Sequence, residues 1–196
     1  GIPGVYIEAG FRGHKAIPGT YTLVLSMGDQ RSETTAIIQE TPGFNIPASQ
    51  YNTYDKFMKE IERNLTDMHT KVNVLFKAQN QIKSIVSELE DPALKKAGKE
   101  LLAKLKSWDE DMVQRKSKAY DDVENFPNKF TAEYLFLIDQ TRSTLPRVNK
   151  SSKDRRAELD SQWVGLNAKA ESLLNKEIPA YNQKLWESGI GAVRLK

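Results

Sequence analysis

The feature that most constrains the fold is a run of regularly spaced apolar residues in the first half of the chain. Its members alternate by four and three positions without a slip, which is the repeat of a coiled-coil-like helical seam. The series consists of Tyr54, Met58, Ile61, Leu65, Met68, Val72, Leu75, Gln79, Ile82, Val86 and Leu89. Only Gln79 among them is polar. The seam predicts a helix over 49–90 that is on the order of 60 Å long and needs partners along its stripe.

Prolines divide the remainder into three further helices. The pair Asp91-Pro92 ends the first helix and begins the second, since proline disfavours helical geometry in the residue before it but fits the first turn of a new helix. The third helix is predicted over 130–145, and the fourth begins near Ser151. Inside the fourth helix, Pro179 predicts a kink near 175–179. Four apolar stripes assemble most simply as an antiparallel four-helix bundle of long helices.

The first 48 residues have a β pattern instead. A strand is predicted over 20–25, a tight turn at Gly28-Asp29 and a return strand over 31–38, and the segment Val5-Tyr6-Ile7 is a candidate third strand. So small a sheet is marginal unless its apolar face is covered. Either the helices cover it, or the preceding strands of a sandwich lie upstream of Gly1. The absence of an initiator methionine favours the second alternative.

The predicted fold class is therefore α+β and mainly α. A partial β-sheet over 1–48, the tail of a sandwich, precedes a helical bundle over 49–196.

Composition excludes several functions. The 29 basic and 26 acidic residues are mixed along the chain and leave a net charge of +3, so there is no concentrated positive field for nucleic acid. No stretch approaches the roughly 20 apolar residues of a membrane span. The chain has no cysteine, which excludes disulfides, thiolate catalysis and cysteine-bound zinc.

The sequence predicts no catalytic residue, no cofactor and no metal site, and hence no enzyme in this chain. Of the two histidines, His14 and His69, neither has a second histidine at helical metal-binding spacing, and we expect His69 to be a solvated surface residue. The acidic runs at 109–111 and 121–124 are interpreted as solvated faces, and the basic cluster over 150–156 as surface.

Aromatic residues supply the candidate docking positions. We expect Trp108 and Trp163 to pack in the core, whereas Trp186 is the candidate exception near the C-terminus. The tail "SGIGAVRL" that follows Trp186 either docks on another domain or closes the core of its own bundle. The candidate interface residues are Trp186, Tyr181 and Phe126.

Four stretches together resemble a known family. They are "GHKAIPGTYTLVLSMGDQ", "DPAL", "NFPNKF" and "EIPAYNQKLWESGI", in that order and spread over nearly the whole chain. They are similar to the region after the β-propeller in secreted, glycosyl-hydrolase-like bacterial proteins with sialidase-like (BNR) or sortilin-type repeats. In that family a hairpin of this kind closes a small β-sandwich and leads into a helical region. The connector "IIQETPGFNIPAS" departs from the family pattern, in which a charged stretch is more usual.

The resemblance implies a non-catalytic C-terminal accessory or docking region of a secreted or cell-envelope protein. Its partner would be the upstream propeller of the same parent chain; that propeller's aspartate-box repeats do not occur in this sequence. One alternative is a carbohydrate- or protein-binding module with a glycan or protein ligand, using Tyr51, Tyr54, Tyr120 or Trp186 as stacking surfaces. A second is a bundle-centred enzyme, but the inward-facing Glu-x-x-His pairs that it requires are missing.

Overall fold

A computed structural model describes residues 1–5, 12–119 and 121–195. Within these ranges, two strands are followed by six α-helices, with a π-helical turn between the last two. The elements are β1 (Gly19–Met27), β2 (Gln30–Ile38), α1 (Ala48–Glu88), α2 (Pro92–Met112), α3 (Asp122–Asn125), α4 (Phe130–Arg142), α5 (Lys150–Ser172), the π-helical turn (Leu173–Glu177) and α6 (Ile178–Glu187). The prediction of a mainly α protein of the α+β class, with a small antiparallel sheet in front of the helices, is confirmed. No helix in the described ranges is long and apolar enough to cross a membrane.

The helices pack in three columns, and α1 runs the full length of the bundle. Antiparallel to α1, α2 covers its C-terminal half, where Gly98 approaches Val86. Next along the same column, α4 covers the N-terminal half of α1, where Asn64 Nδ2 donates to Tyr134 Oη at 3.0 Å. The third column is α5, the π-helical turn and α6, parallel to α1.

The predicted helical bundle is formed, with α2 and α4 placed in succession along α1. The reason is length: α1 has 41 residues and α2 only 21, so two helices in succession cover one long stripe. Asp91 caps α2 by accepting from the N–H groups of Ala93 and Leu94. Asn149 caps α5, since its Oδ1 accepts from Ser152 N at 2.7 Å.

The predicted interruption of the last long helix is confirmed and takes the form of the π-helical turn. Pro179 occupies the first turn of α6, directly after that turn. Because proline has no N–H and its ring crowds the preceding turn, the regular α-helical bonding cannot continue through this point. The wider turn takes up the break, so that α5 and α6 form one column.

The core follows the seam. Every apolar member of the α1 series is buried and belongs to one cluster with residues from the other columns. Ile2 and Val5 also belong to this cluster, and Asn73 Nδ2 donates to the carbonyl of Gly1 at 3.0 Å. The first five residues therefore pack with the helices, although the sequence assigns them to the sheet. The candidate third strand is not formed at Val5, and Tyr6 and Ile7 lie outside the described residues.

Candidate interaction surface

The β-hairpin has two chemically different faces. Gly28 has φ 57° at the first central position of the turn, and Asp29 does not have positive φ, which matches a type II′ turn with Gly28-Asp29 at its tip. The predicted turn is thus confirmed. Residues directly opposite in an antiparallel pair share a face. The register places Tyr21, Leu23, Leu25 and Met27 on one face with Ala36 and Ile38, and the polar residues Thr34, Ser32 and Gln30 share this face opposite Leu23, Leu25 and Met27. The other face carries Thr20, Thr22, Val24, Ser26, Arg31, Glu33, Thr35 and Ile37.

The outer part of the first face, which we call the apolar face, is uncovered. Leu23, Leu25 and Met27 are 53%, 74% and 72% exposed. On the opposite face Arg31 and Glu33 form an ion pair and three threonines add hydroxyl groups, although Val24 and Ile37 interrupt it. An apolar stripe of this length on one face of a hairpin is the pattern of a sheet that packs against another layer.

The base of the hairpin is attached to the helical body. Ile17 packs against the core cluster, and Tyr21 Oη donates to the carbonyl of Ile17 at 2.7 Å. Tyr21 and Ala36, the third pair from this end, are half-buried, whereas the residues at the tip are exposed.

A histidine fixes the segment that leads into β1. His14 Nδ1 lies 3.0 Å from both carboxylate oxygens of Glu62, and its Nε2 lies 3.1 Å from Asp55 Oδ1. The backbone N–H of His14 also donates to Glu62 at 2.6 Å, and the ring packs edge-on against Tyr54. Both ring nitrogens therefore lie within hydrogen-bond distance of a carboxylate oxygen. The side chain is only 8% exposed, so this contact is an internal anchor between 12–18 and α1.

The same anchor affects its carboxylate neighbours. Burial opposes ionisation of Asp55, but hydrogen bonds from Lys59 and His14 outweigh it and hold the pKa of Asp55 below its ordinary value. Burial, together with the nearby Glu62 carboxylate, raises the pKa of Tyr54 to about 12.

The three predicted interface residues have different environments. Trp186, at the end of α6, is 73% exposed. Phe126 is half-buried beside the end of α3, with Lys116 Nζ 5.9 Å from its ring centroid. The prediction that Tyr181 lies at an interface is corrected. Its side chain is 4% exposed and packs against Gly98 inside the bundle, and burial raises the pKa of its phenol. It offers no surface to a partner.

Other aromatic predictions are also decided by burial. Trp108 and Trp163 lie in the core as expected. Tyr51 and Tyr54, candidates for stacking on a ligand, are buried, and Tyr120 lies outside the described residues.

The C-terminal tail closes the bundle to which it belongs. Asn182 exchanges two hydrogen bonds with the backbone of Val193, and Gln81 on α1 does the same with Arg194. Val193 is buried in the core cluster. Of the two alternatives for this tail, the structure therefore shows the one in which it closes the core of its own bundle.

Several polar residues expected on the surface lie inside. His69 is 3% exposed, and burial, with a smaller effect of the N-terminal charge, lowers its pKa to about 4. Asp109 is buried and accepts two hydrogen bonds of 2.6 Å from Arg115. Arg156, in the basic cluster, is partly buried and joins α5 to α1 through an ion pair of 2.9 Å with Glu60. The surface expectation was therefore wrong for His69 and Asp109, whereas Glu110, Asp111, Lys150 and Lys153 are exposed as expected.

Metal-binding groups were also sought in the part of the chain that the structure describes. The described residues contain no group of three or more histidine, aspartate or glutamate side chains arranged to hold a metal ion. For the whole chain, the absence of a metal site stays a prediction from the sequence. The chain matches no protein-family model, no curated protein and no solved structure in the three comparisons made.

Proposed function

We propose that this chain is a non-catalytic accessory and docking region of a larger secreted or cell-envelope protein, and that the apolar face of the hairpin is its contact surface. The resemblance to propeller-containing, glycosyl-hydrolase-like proteins supplies the partner: the upstream part of the same parent chain, with further strands of a sandwich directly against the hairpin.

The observation that carries the proposal is the uncovered apolar face. Leu23, Leu25 and Met27 stand side by side on one face and are each more than half exposed. Burying a side chain of this size stabilises by about 1.5–3 kcal/mol, and since part of each is already covered, a docked layer gains roughly 1–2 kcal/mol from each of the three. A lone two-stranded hairpin is marginal in water, so a covering layer also stabilises the sheet itself.

The helical body supports this role by anchoring the segment that leads into the hairpin. The anchor of His14 on Asp55 and Glu62 joins the hairpin's entry segment to α1, and Ile17 packs against the core next to it. A rigidly held contact surface loses less conformational freedom when a partner binds.

The experiment that tests the proposal is to read the coding sequence upstream of Gly1 and to express the longer chain it encodes. We expect β-propeller repeats followed by strands that end close to "IPGVYIEAG". A start codon or an unrelated domain within a few residues of Gly1 contradicts the proposal, and the apolar face then needs another partner.

Trp186 favours a second candidate function, a carbohydrate-binding module, because it is a large exposed ring beside a helix end. Saturable binding of the isolated chain on a glycan array, lost in Trp186→Ala and kept in a Leu25→Lys variant of the hairpin, supports this alternative. A flat glycan response leaves docking as the function of the chain.

A further inference from the structure

A cavity of about 720 Å³ lies between the end of α2 and the start of α4, where the column that these two helices form is interrupted. One wall comes from α1 and α2, and the other from the segments 113–116 and 125–129 around α3. Its volume falls within the range of small-molecule sites, and nothing in the proposed docking function uses it.

The floor of the cavity is apolar and partly aromatic. Phe76, Val113, Phe126 and Pro127 line it. The guanidinium of Arg115 lies 3.6 Å from the centroid of the Phe76 ring and is held there by its two hydrogen bonds to Asp109. A planar group that stacks on a ring and is held at its edge by two hydrogen bonds makes a stiff wall, so this part of the cavity is already formed without a ligand.

The rim of the cavity has an excess of positive charge. Four cationic side chains and two carboxylates line it. Asp109 is paired with Arg115, and Glu110 lies 3.8 Å from Lys106. The two remaining cations, Lys116 and Lys129, have no ion pair with any residue in the described ranges. The charge complement of the cavity is therefore an anion.

A polar atom of α1 also faces this region. Gln79, the one polar member of the seam, lines the cavity, and its Oε1 is buried without a hydrogen-bond partner among the described residues. This oxygen only accepts hydrogen bonds, so it is no partner for an anion; the donor that the amide offers to an anion is its Nε2–H group. The amide can also turn its Nε2–H toward an acceptor by rotating about its last bond.

We propose that this cavity binds an aromatic carboxylate, with its flat apolar body between Phe76 and Phe126 and its carboxylate toward Lys116, Lys129 and Gln79. The aromatic body matches the floor, and the single negative charge matches the two unpaired lysines. The site is independent of the docking surface, because the apolar face of the hairpin contributes no residue to it.

The test is a titration of the whole 196-residue chain, labelled with ¹⁵N, with 2-naphthoate, followed by amide chemical shifts. We expect saturable shifts confined to 76–79, 113–116 and 125–129. The neutral analogue 2-naphthamide should bind at least about tenfold more weakly, because it lacks the charge that the lysines recognise.

Two sets of variants complete the design. The pair Lys116→Gln and Lys129→Gln should weaken 2-naphthoate about tenfold, while the exposed pair Lys96→Gln and Lys99→Gln on α2 makes the same change of charge elsewhere and should leave binding unchanged. Unshifted α1 amides outside the site confirm that each variant is folded. The proposal is overturned if the amide analogue binds as well as the acid, if both pairs have the same effect, or if no shift saturates. Gln79→Leu, which keeps the apolar volume, gives a second readout and should also weaken binding.

Discussion

Replacing Gly98 by alanine should destabilise the protein, although alanine is the better helix former. A β-carbon at Gly98 would lie 2.3 Å from Val86 Cγ2 and 2.5 Å from Tyr181 Oη. Carbon atoms in contact normally lie about 3.5–4.0 Å apart, so the columns would have to move by more than about 1 Å. Both neighbours are buried, and the branched valine has no other rotamer that clears the space cheaply.

The magnitude follows from two opposing effects. Helix propensity favours alanine over glycine by about 1 kcal/mol, while overpacking a close-packed core costs about 1–3 kcal/mol and reaches the upper end at a contact this short. We expect Gly98→Ala to lower the free energy of unfolding by about 1–2 kcal/mol. Gly165 in α5 is the matched control: it has nothing within 4 Å, so Gly165→Ala should raise that free energy by up to about 1 kcal/mol.

Urea unfolding monitored by circular dichroism measures both changes, with unchanged slopes showing that the transition stays two-state. A third variant locates the clash. Tyr181 Oη is buried and makes no hydrogen bond to the described residues, so Tyr181→Phe alone should cost little, and combined with Gly98→Ala it should recover part of the loss. If Gly98→Ala is as stable as the parent protein, the close approach of α1, α2 and α6 is refuted.

Two further predictions concern the histidines. The pKa of His69 is about 4 in the folded protein and 6.5 when unfolded, so the unfolded chain binds the extra proton first as the pH falls. Stability that is present above pH 6.5 should therefore be lost toward pH 4, by up to about 3 kcal/mol. Urea unfolding of His69→Leu across this range should show that part of the pH dependence removed, and an identical profile in both proteins would contradict the burial of the ring. His14→Ala leaves the carboxylates of Asp55 and Glu62 without their shared donor and should lower the free energy of unfolding by about 1–3 kcal/mol. It should also increase backbone motion in the hairpin, measured by ¹⁵N relaxation, whereas Lys15→Ala, an exposed neighbour, should change neither quantity.

The features predicted correctly from the sequence are local in the chain. The seam of α1 follows from spacing within one helix, the break at Asp91-Pro92 from the geometry of proline, and the turn at Gly28-Asp29 from a two-residue signal. Each depends on residues a few positions apart. The two faces of the hairpin also have a local signal, the alternation in "TYTLVLSM", because alternate residues of a strand lie on opposite sides.

The features not predicted depend on which stripes meet. Periodicity states that a helix has an apolar face, but not which other helix covers it, so the succession of α2 and α4 along α1 could not be derived. The partners of His14 lie 41 and 48 residues away on α1. The burial of His69 likewise depends on the fold, and no pattern near it in sequence distinguishes it from a surface histidine.

The most direct test of the account is the accessibility of the apolar face in the protein as its own organism makes it. Because the chain has no cysteine, Leu25→Cys and Thr35→Cys each introduce a single reactive site, one on the apolar face and one on the opposite face. In the isolated chain both should react with a maleimide at similar rates. In the native protein, the account predicts that Leu25→Cys is protected while Thr35→Cys still reacts. Equal reaction at both positions in the native protein would contradict docking through this face.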